Sequence, residues 1–293
     1  MFPAPFDYQR AHSIDEALAA LAAHGDDARI LAGGQSLIPA MRFRLARPAV
    51  LIDINPIASL AYVRENDGYL AVGAGARDFA LETTPVVSSR YPLLADVCAV
   101  VADPVVRQMG TVVGSLCHND PAGDWPVAAL AAHASVVIRG KGGERVVSID
   151  DFLVDSYTTA VGEGEMALEV RFPTPQARTA GAYMKIERKV GDFATAAAAT
   201  RISLAPDGTI ASASVALGAA GPKGFRVVEA ERALVGAKPS NAAIAAAMEA
   251  ARNAADPIAD TRGTVIFKKQ MAGVLVERAL RKTFARLGLE DVR

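Results

Sequence analysis

The 293-residue sequence lacks several features that would point to particular classes of protein. It has only two cysteines, Cys98 and Cys117, too few for a disulfide-stabilised secreted fold or for the roughly four thiolates of an iron–sulfur cluster. Its formal net charge of -1, with dispersed Lys and Arg, does not fit nucleic-acid binding. No apolar run reaches the ~18 residues of a membrane span, and the first residues do not resemble a secretion signal, so we expect a cytoplasmic protein.

What the sequence does have is the composition of a globular protein, with 51% hydrophobic and 22% charged residues. Its length predicts roughly two domains. Two prolines within Phe172-Pro173-Thr174-Pro175 would stiffen a short connection, and we place the domain boundary there. The predicted domains are therefore residues 1–175 and 176–293.

The N-terminal part predicts a strand–helix–strand unit. Ser13-Ile14-Asp15-Glu16 fits a capping box, in which Ser13 accepts from the Glu16 N–H and the Glu16 carboxylate accepts from the Ser13 N–H. A helix should follow and end at Gly25. Beyond it we predict a strand over 28–32, a helix over 37–45 and a strand over 50–54. A glycine-rich loop thus lies at the carboxyl end of a strand, where α/β units tend to bind ligands.

Glycine-containing turns predict two hairpins later in the chain. One spans residues 135–147, and the other spans residues 195–217. Two helices, about 241–255 and 264–287, should close the chain. We expect the basic residues of the last helix to form a solvated face, with docking of an acidic partner as the alternative: Lys268, Lys269, Arg278, Arg281 and Lys282.

The glycine-rich loop Gly33-Gly34-Gln35-Ser36 has the composition of an anion site. Converging backbone N–H groups favour negative charge, and glycine allows a phosphate to approach the main chain. An ordinary turn is the alternative, because the loop has neither the Lys of a P-loop nor the G-x-G-x-x-G of the dinucleotide fold.

A second small-residue segment, Thr111-Val112-Val113-Gly114-Ser115, suggests that two loops clamp a diphosphate from both sides. Asp120 and Asp124 downstream then become candidates for ribose or ribityl hydroxyls. Their alternative roles are local: Asp120 precedes Pro121 and can start a turn, while Asp124 can cap the helix that follows.

These motifs together resemble those of a known family. Residues 32–36, residues 111–115 and the Asp-Pro-x-x-Asp-x-Pro of residues 120–126 are similar to the FAD-binding, or medium, subunits of the molybdenum hydroxylases of the xanthine dehydrogenase family, above all those of aerobic carbon monoxide dehydrogenases. The likeness extends to Phe6-Asp7-Tyr8, Ala102-Asp103-Pro104, Lys185, Gly191-Asp192-Phe193-Ala194-Thr195 and Met271-Ala272-Gly273-Val274-Leu275.

The resemblance implies an α+β fold of the vanillyl-alcohol-oxidase, or PCMH, type. Two N-terminal lobes, about 1–56 and 57–175, would hold an extended FAD. A small C-terminal domain of a three-stranded antiparallel sheet plus helices would follow.

The resemblance also implies an oxidoreductase subunit with no catalytic side chain and no metal of its own. A molybdenum cofactor on a large subunit would oxidise the substrate, [2Fe-2S] clusters on a small subunit would carry the electrons, and FAD here would pass them to an external acceptor. The assembly would be a dimer of heterotrimers. By position, the two loops would embrace the pyrophosphate, Asp124 would meet the ribityl chain, and Lys185 and Phe193 would lie at the flavin ring. The residues assigned to the cofactor are Ala32, Gly33, Gly34, Gln35, Ser36, Leu37, Val101, Thr111, Val112, Val113, Gly114, Ser115, His118, Asp120, Asp124, Lys185 and Phe193.

The sequence departs from the family at three of these positions. Val113 replaces a glycine and Ser115 an asparagine, so the second loop must use ordinary backbone angles at residue 113. Phe193 replaces a common tyrosine, which leaves stacking on the ring but no phenolic hydrogen bond.

The sequence is compatible with other functions as well. A stand-alone flavoprotein oxidase or dehydrogenase of the same fold is one alternative, and a scaffold that has lost the cofactor is another. His118, Asp120 and Asp124 offer metal-ligand atoms, and Ser115, His118 and Asp120 contain the residue types of a hydrolytic triad, but a turn rich in Pro and Gly explains them more simply.

Overall fold

A computed structural model describes residues 2–289 of the chain. Its first sheet is parallel, with strand order β1-β3-β2. The predicted strand–helix–strand unit is β2-α2-β3, although α2 ends three residues before the predicted helix end at Leu45. The elements are β1 (Asp7–Arg10), α1 (Ile14–His24), β2 (Ala28–Leu31), α2 (Leu37–Arg42) and β3 (Val50–Asp53).

The start of α1 shows how local chemistry sets an element boundary. Ser13 Oγ accepts from the Glu16 N–H at 3.1 Å, as the capping box predicts. The Glu16 carboxylate, however, accepts from the N–H of His12 at 2.8 Å and not from that of Ser13. At the other end, Gly25 has a φ of 51°, a left-handed value that terminates the helix as predicted.

The second sheet is antiparallel and has five strands in the order β4-β5-β10-β6-β7. Short helices fill the connection from β5 to β6, and a two-stranded β8-β9 ribbon precedes β10. The elements are β4 (Val63–Asn66), β5 (Tyr69–Gly73), α3 (Asp78–Thr83), α4 (Pro85–Arg90), α5 (Pro92–Val100), α6 (Pro104–Arg107), α7 (Val112–His118), α8 (Asp124–Ala132), β6 (Ser135–Gly140), β7 (Gly143–Ser148), α9 (Ile149–Phe152), β8 (Leu153–Asp155), β9 (Thr158–Thr159) and β10 (Met166–Pro173).

The C-terminal sheet is antiparallel with the order β11-β12-β13-β14, so it has four strands and not the expected three. The additional strand is only two residues long and pairs at Ala216↔Arg226 and Leu217↔Phe225. Such a short edge strand gives little sequence signal. The elements are β11 (Thr179–Ile186), β12 (Ala196–Leu204), β13 (Ile210–Gly218), β14 (Phe225–Arg226), α10 (Val228–Leu234), α11 (Asn241–Ala254) and α12 (Val265–Arg286).

Two hydrophobic clusters support these sheets. The larger packs the first two sheets with α5, α7 and α8, and every residue of α8 is buried. The smaller packs the C-terminal sheet against α10, α11 and α12. In the part of the chain that the structure describes, no helix is both long and apolar enough to cross a membrane.

The basic residues of α12 do not form the uniform solvated face that we predicted. Lys268 is buried, pairs with Asp260 at 2.8 Å and donates to the Ile258 carbonyl. Lys282 reaches Asp96 of α5 at 2.8 Å, so it joins the C-terminal region to the N-terminal one. The helical period showed which positions share a face but not which carboxylates lie opposite them.

Candidate functional site

The first glycine loop leaves β2 and leads into α2. Gly34 has a φ of 71°, a conformation that L side chains rarely adopt. None of the backbone N–H groups of residues 33–36 has a hydrogen-bond partner among residues 2–289. Gly33 is buried, Gly34 and Ser36 are half-buried, and Gln35 is exposed. Because buried or half-buried amides are nearly always paired, the unpaired donors of Gly33, Gly34 and Ser36 indicate a place for a ligand that accepts hydrogen bonds.

The second small-residue segment lies directly against the first. A Cβ atom on Gly33 would be 2.1 Å from the carbonyl oxygen of Met109, so only glycine allows this approach. Thr111 caps the helix that follows, because its Oγ1 accepts from the Gly114 N–H at 3.2 Å. Residues that are separated by about eighty positions in the chain therefore line one place in the structure.

Val113 lies within the first turn of α7, and its φ is not positive. The structure thus accommodates this valine with ordinary helical angles, as the sequence required. Val112 and Val113 are buried within the first turn of α7, while Ser115 is half-buried.

Two polar residues that the sequence analysis missed hold the loops together. Arg77 donates to the Met109 carbonyl at 2.7 Å and to Asn55 Oδ1 at 2.6 Å. Asn55 in turn donates from Nδ2 to the Ala32 carbonyl at 3.0 Å. Burial lowers the pKa of Arg77, and the charges of Asp53 and Asp78 oppose this effect. The position of Asn55 just after β3, at the same sheet edge as the first loop, was a signal that could have singled it out.

Asp78 lies beneath the second loop and is 4% exposed. Its backbone N–H donates to the Gly110 carbonyl at 2.9 Å, and its Oδ1 accepts from Trp125 Nε1 at 3.0 Å. Burial raises the pKa of this carboxyl to about 7. Asp78 therefore ties the second loop to the buried helix α8.

Asp124 is the first residue of α8, and strand β11 of the C-terminal region covers it. Tyr183 donates its hydroxyl to Asp124 Oδ1 at 2.5 Å, and Lys185 Nζ lies 3.2 Å from Oδ2. Burial raises the pKa of Asp124, whereas the charge of Lys185 and the two hydrogen bonds lower it. The contact of Tyr183 with Asp124 is one that sequence reasoning did not find.

Phe193 stands at the end of the loop from β11 to β12, and its side chain is 47% exposed. Asp192 fastens this loop through Arg262 Nη2 at 3.0 Å, and that hydrogen bond lowers the Asp192 pKa to about 2. Gly191, with a φ of 82°, packs against the main chain of Ala102. The loop therefore contacts the segment that follows Val101, so Val101 and Phe193 belong to one neighbourhood.

His118 and Asp120 form a separate group at the end of α7. His118 Nε2 lies 3.8 Å from Asp120 Oδ2, and burial lowers the His118 pKa. Asp120 also accepts from the Ala122 N–H at 2.8 Å, which is the turn geometry expected before Pro121. Between residues 2 and 289, no three His, Cys, Asp or Glu side chains are grouped so that they could hold a metal ion.

Sequence comparison identifies the family. Residues 4–175 match the family described as the FAD binding domain in molybdopterin dehydrogenase, and residues 181–283 match the CO dehydrogenase flavoprotein C-terminal domain. The chain belongs to this family of FAD-binding dehydrogenase subunits. The resemblance inferred from the motifs, the α+β FAD-binding fold, the FAD cofactor and the oxidoreductase class are thereby confirmed. The division into lobes 1–56 and 57–175 stays a prediction.

Individual relatives are similar over almost their full length. The carbon monoxide dehydrogenase medium chain of Hydrogenophaga pseudoflava is 38% identical, with 98% of this chain and 99% of the relative covered. The 6-hydroxypseudooxynicotine dehydrogenase complex subunit alpha of Paenarthrobacter nicotinovorans is 37% identical, with 98% and 97% covered. Carbon monoxide dehydrogenase from Hydrogenophaga pseudoflava, in a structure that lacks the Mo-pyranopterin moiety, superposes with a TM-score of 0.95 at 40% identity, covering 98% of this chain and 99% of that one.

The donors and acceptors of the two small-residue segments, Asp124 and Phe193 match the chemical groups of a flavin dinucleotide. The unpaired amides of residues 33–36 offer donors to phosphate oxygens, and the close approach of the loops at Gly33 leaves no Cβ between them. Asp124 offers carboxylate oxygens to hydroxyl groups, and Phe193 offers an exposed aromatic face.

Proposed function

We propose that this chain is the FAD-carrying electron-transfer subunit of a multi-subunit molybdenum hydroxylase. The observation that carries the proposal is the junction of the two loops, where residues 33–36 present four unpaired amides beside Met109 and Gly110. Bound there, FAD supplies two-electron and one-electron redox chemistry, which the side chains of this chain do not provide.

The proposed division of the site follows from the chemistry of each group. The amides of residues 33–36, with Ala32 and Leu37 beside them, and residues 111–115 would hold the pyrophosphate. Asp124 would accept hydrogen bonds from ribityl hydroxyls. Lys185 and Phe193 would lie at the ring. Asp120 is proposed to accept hydrogen bonds from ribose or ribityl hydroxyls, and Val101 and His118 are proposed as further contacts of the cofactor.

The electron donor is proposed to be a partner subunit with [2Fe-2S] clusters, and the molybdenum cofactor would lie on a large partner subunit. Several relatives are named as medium chains or as subunits of dehydrogenase complexes, which supports this assembly. The two cysteines support it too, because burial raises the pKa of both Cys98 and Cys117 to about 12 and so disfavours metal-binding thiolates. A dimer of heterotrimers is the proposed stoichiometry.

The proposal assigns the choice of substrate to the partner subunit that carries molybdenum. Two relatives of nearly equal identity, 38% and 37%, are named for carbon monoxide and for 6-hydroxypseudooxynicotine. Because substrate oxidation is proposed on another chain, similarity in this chain does not distinguish among small oxidisable molecules. The external electron acceptor is likewise set by access to the ring.

The first test is the visible spectrum of the purified chain, followed by acid release and chromatography of any flavin. We expect a yellow protein that releases FAD, and Asp124→Ala should retain much less of it. A colourless protein that takes up no added FAD, alone or co-expressed with the neighbouring genes of its operon, would refute the cofactor site. Co-expression also tests the assembly, since a chain that never co-elutes with a partner would contradict it.

A further inference from the structure

We propose that Tyr183 is a positioning residue of the cofactor site, which holds the Asp124 carboxylate ready to accept hydrogen bonds from the ribityl chain of FAD. This inference rests on the proposed function. Tyr183 lies in the C-terminal region, whereas Asp124, which it would position, lies in the N-terminal region.

Two hydrogen bonds from β11 fix the side chain of Asp124. Tyr183 and Lys185 are two positions apart in β11, so both side chains project from the same face of the strand. Tyr183 OH donates to Oδ1 at 2.5 Å and Lys185 Nζ to Oδ2 at 3.2 Å, so each carboxylate oxygen has one fixed partner. Each oxygen retains acceptor capacity for a further donor, which is what a ribityl hydroxyl would require.

Lys185 is shared among three oxygen atoms of different residues, through two hydrogen bonds and one ion pair, whereas the Tyr183 hydroxyl contacts Asp124 alone. Lys185 Nζ lies 3.2 Å from Asp124 Oδ2, 3.1 Å from the Asp192 carbonyl oxygen and 3.0 Å from Glu187 Oε2. Its side chain is 2% exposed. Lys185 therefore neutralises two carboxylates and anchors the loop at Asp192, and Tyr183 is left as the group that sets the orientation of Asp124.

The charges that face Asp124 make its ionisation depend on Tyr183. Lys185 favours the carboxylate, whereas Glu187 and the more distant Asp78 disfavour it. Burial disfavours it as well, so the phenolic hydrogen bond is one of the few contributions that keep the group charged. Without that hydroxyl, protonation of Asp124 would begin at higher pH, and the protonated acid would offer fewer acceptor sites to a ligand.

The experiment uses Tyr183→Phe in the full-length chain, which removes one oxygen atom and keeps the aromatic packing. Flavin is removed, and FAD affinity is measured by fluorescence titration over a range from acidic to alkaline pH. We expect affinity to fall about tenfold or more, as for loss of a charge-assisted hydrogen bond, and the deficit to grow as the pH is lowered. Combining Tyr183→Phe with Asp124→Asn should abolish the additional pH dependence, because residue 124 then no longer titrates.

Tyr62→Phe is a matched control. Tyr62 also donates to a buried carboxylate, Glu169 Oε2, at 2.5 Å, and a cation, Arg171, also contacts that carboxylate. Tyr62 directly precedes β4, the edge strand of the second sheet, and its contacts with Glu169, Arg64 and Gly73 do not include the two small-residue segments. The substitution should therefore leave FAD affinity unchanged.

Any of three outcomes would overturn the inference. The first is equal FAD affinity of Tyr183→Phe and wild type at every pH. The second is a loss of affinity in Tyr62→Phe as large as that in Tyr183→Phe, and the third is a deficit of Tyr183→Phe that does not vary with pH. A wild-type chain that binds no FAD would refute the proposed function as well, which separates the two failures. If Tyr183→Phe does not fold, Asp124→Asn alone still decides: affinity equal to wild type would overturn the role of the carboxylate that Tyr183 serves.

Discussion

Replacing Gly33 by alanine tests whether the contact between the two loops builds the proposed phosphate site. The new Cβ atom would lie 2.1 Å from the Met109 carbonyl oxygen and 2.9 Å from its carbon, whereas ordinary contact begins at 3.4 Å. The loops must therefore separate by about 1.3 Å, and overpacking of this kind costs ~1–3 kcal/mol in stability. A shift of this size is enough to break a hydrogen bond from a backbone amide to a phosphate oxygen.

If two such hydrogen bonds to charged oxygens are lost, the cost is ~3 kcal/mol, or about 100-fold in FAD affinity. Fluorescence titration of the flavin-free protein measures this change. Gly142→Ala is the control, because its φ is not positive and its added Cβ meets nothing within 4 Å. FAD affinity of Gly33→Ala within about twofold of Gly142→Ala would refute the reasoning, since the loops would then be joined for a structural purpose only.

Three further predictions follow from other parts of the structure. Gly34→Val should lower the free energy of unfolding by ~1–3 kcal/mol, because the φ of residue 34 is 71°, and it should also lose FAD. Gly208→Val, at a φ of 85° in open space, should lose stability but keep FAD. Flavin content and thermal melting distinguish the two variants. Asp96→Ala should lower the free energy of unfolding by ~2–3 kcal/mol, because it removes the shared partner of three cationic N–H groups. Asp15→Ala, which breaks an exposed ion pair, should be nearly neutral. Urea unfolding measures both. The pKa of Asp78 in the folded state is raised from 3.8 to about 7. The unfolding free energy of wild type relative to Asp78→Asn should therefore decrease as the pH rises from about 4 to about 7, and then level off. A constant difference across that range would contradict the raised pKa.

The loops were predictable because their chemistry is local. Gly33 and Gly34 indicate a turn that needs bare backbone. The helix that begins after Thr111 is not part of the sequence prediction, which treats residues 111–115 as a loop, so there the structure corrects it. The hairpin around Gly142 and the boundaries of α11 and α12 follow from the same kind of short-range signal. For such features, a few neighbouring residues determine the backbone conformation.

The contacts between distant segments were not predictable in this way. Arg77 reaches Met109 and Asn55, and Tyr183 reaches Asp124 across 59 positions of the chain. A single sequence carries no information about which donor meets which acceptor at such a separation. The same limit explains Lys282, whose helical position suggested solvent and whose actual partner is Asp96.

The two long-range clusters share an arrangement that bears on how the site is built. In each, a carboxylate of the N-terminal region is neutralised by cations of the C-terminal region: Asp124, which is buried, or Asp96, which is half-buried. Asp96 also accepts from the backbone N–H of Tyr183, so the two clusters meet at one strand residue. If β11 moved away, both carboxylates would lose partners at once, and leaving a buried charge unpaired is costly. The C-terminal region is thus energetically coupled to the position of Asp124, and a fragment that ended before β11 would contain both loops yet lack the environment that keeps this carboxylate charged and aimed.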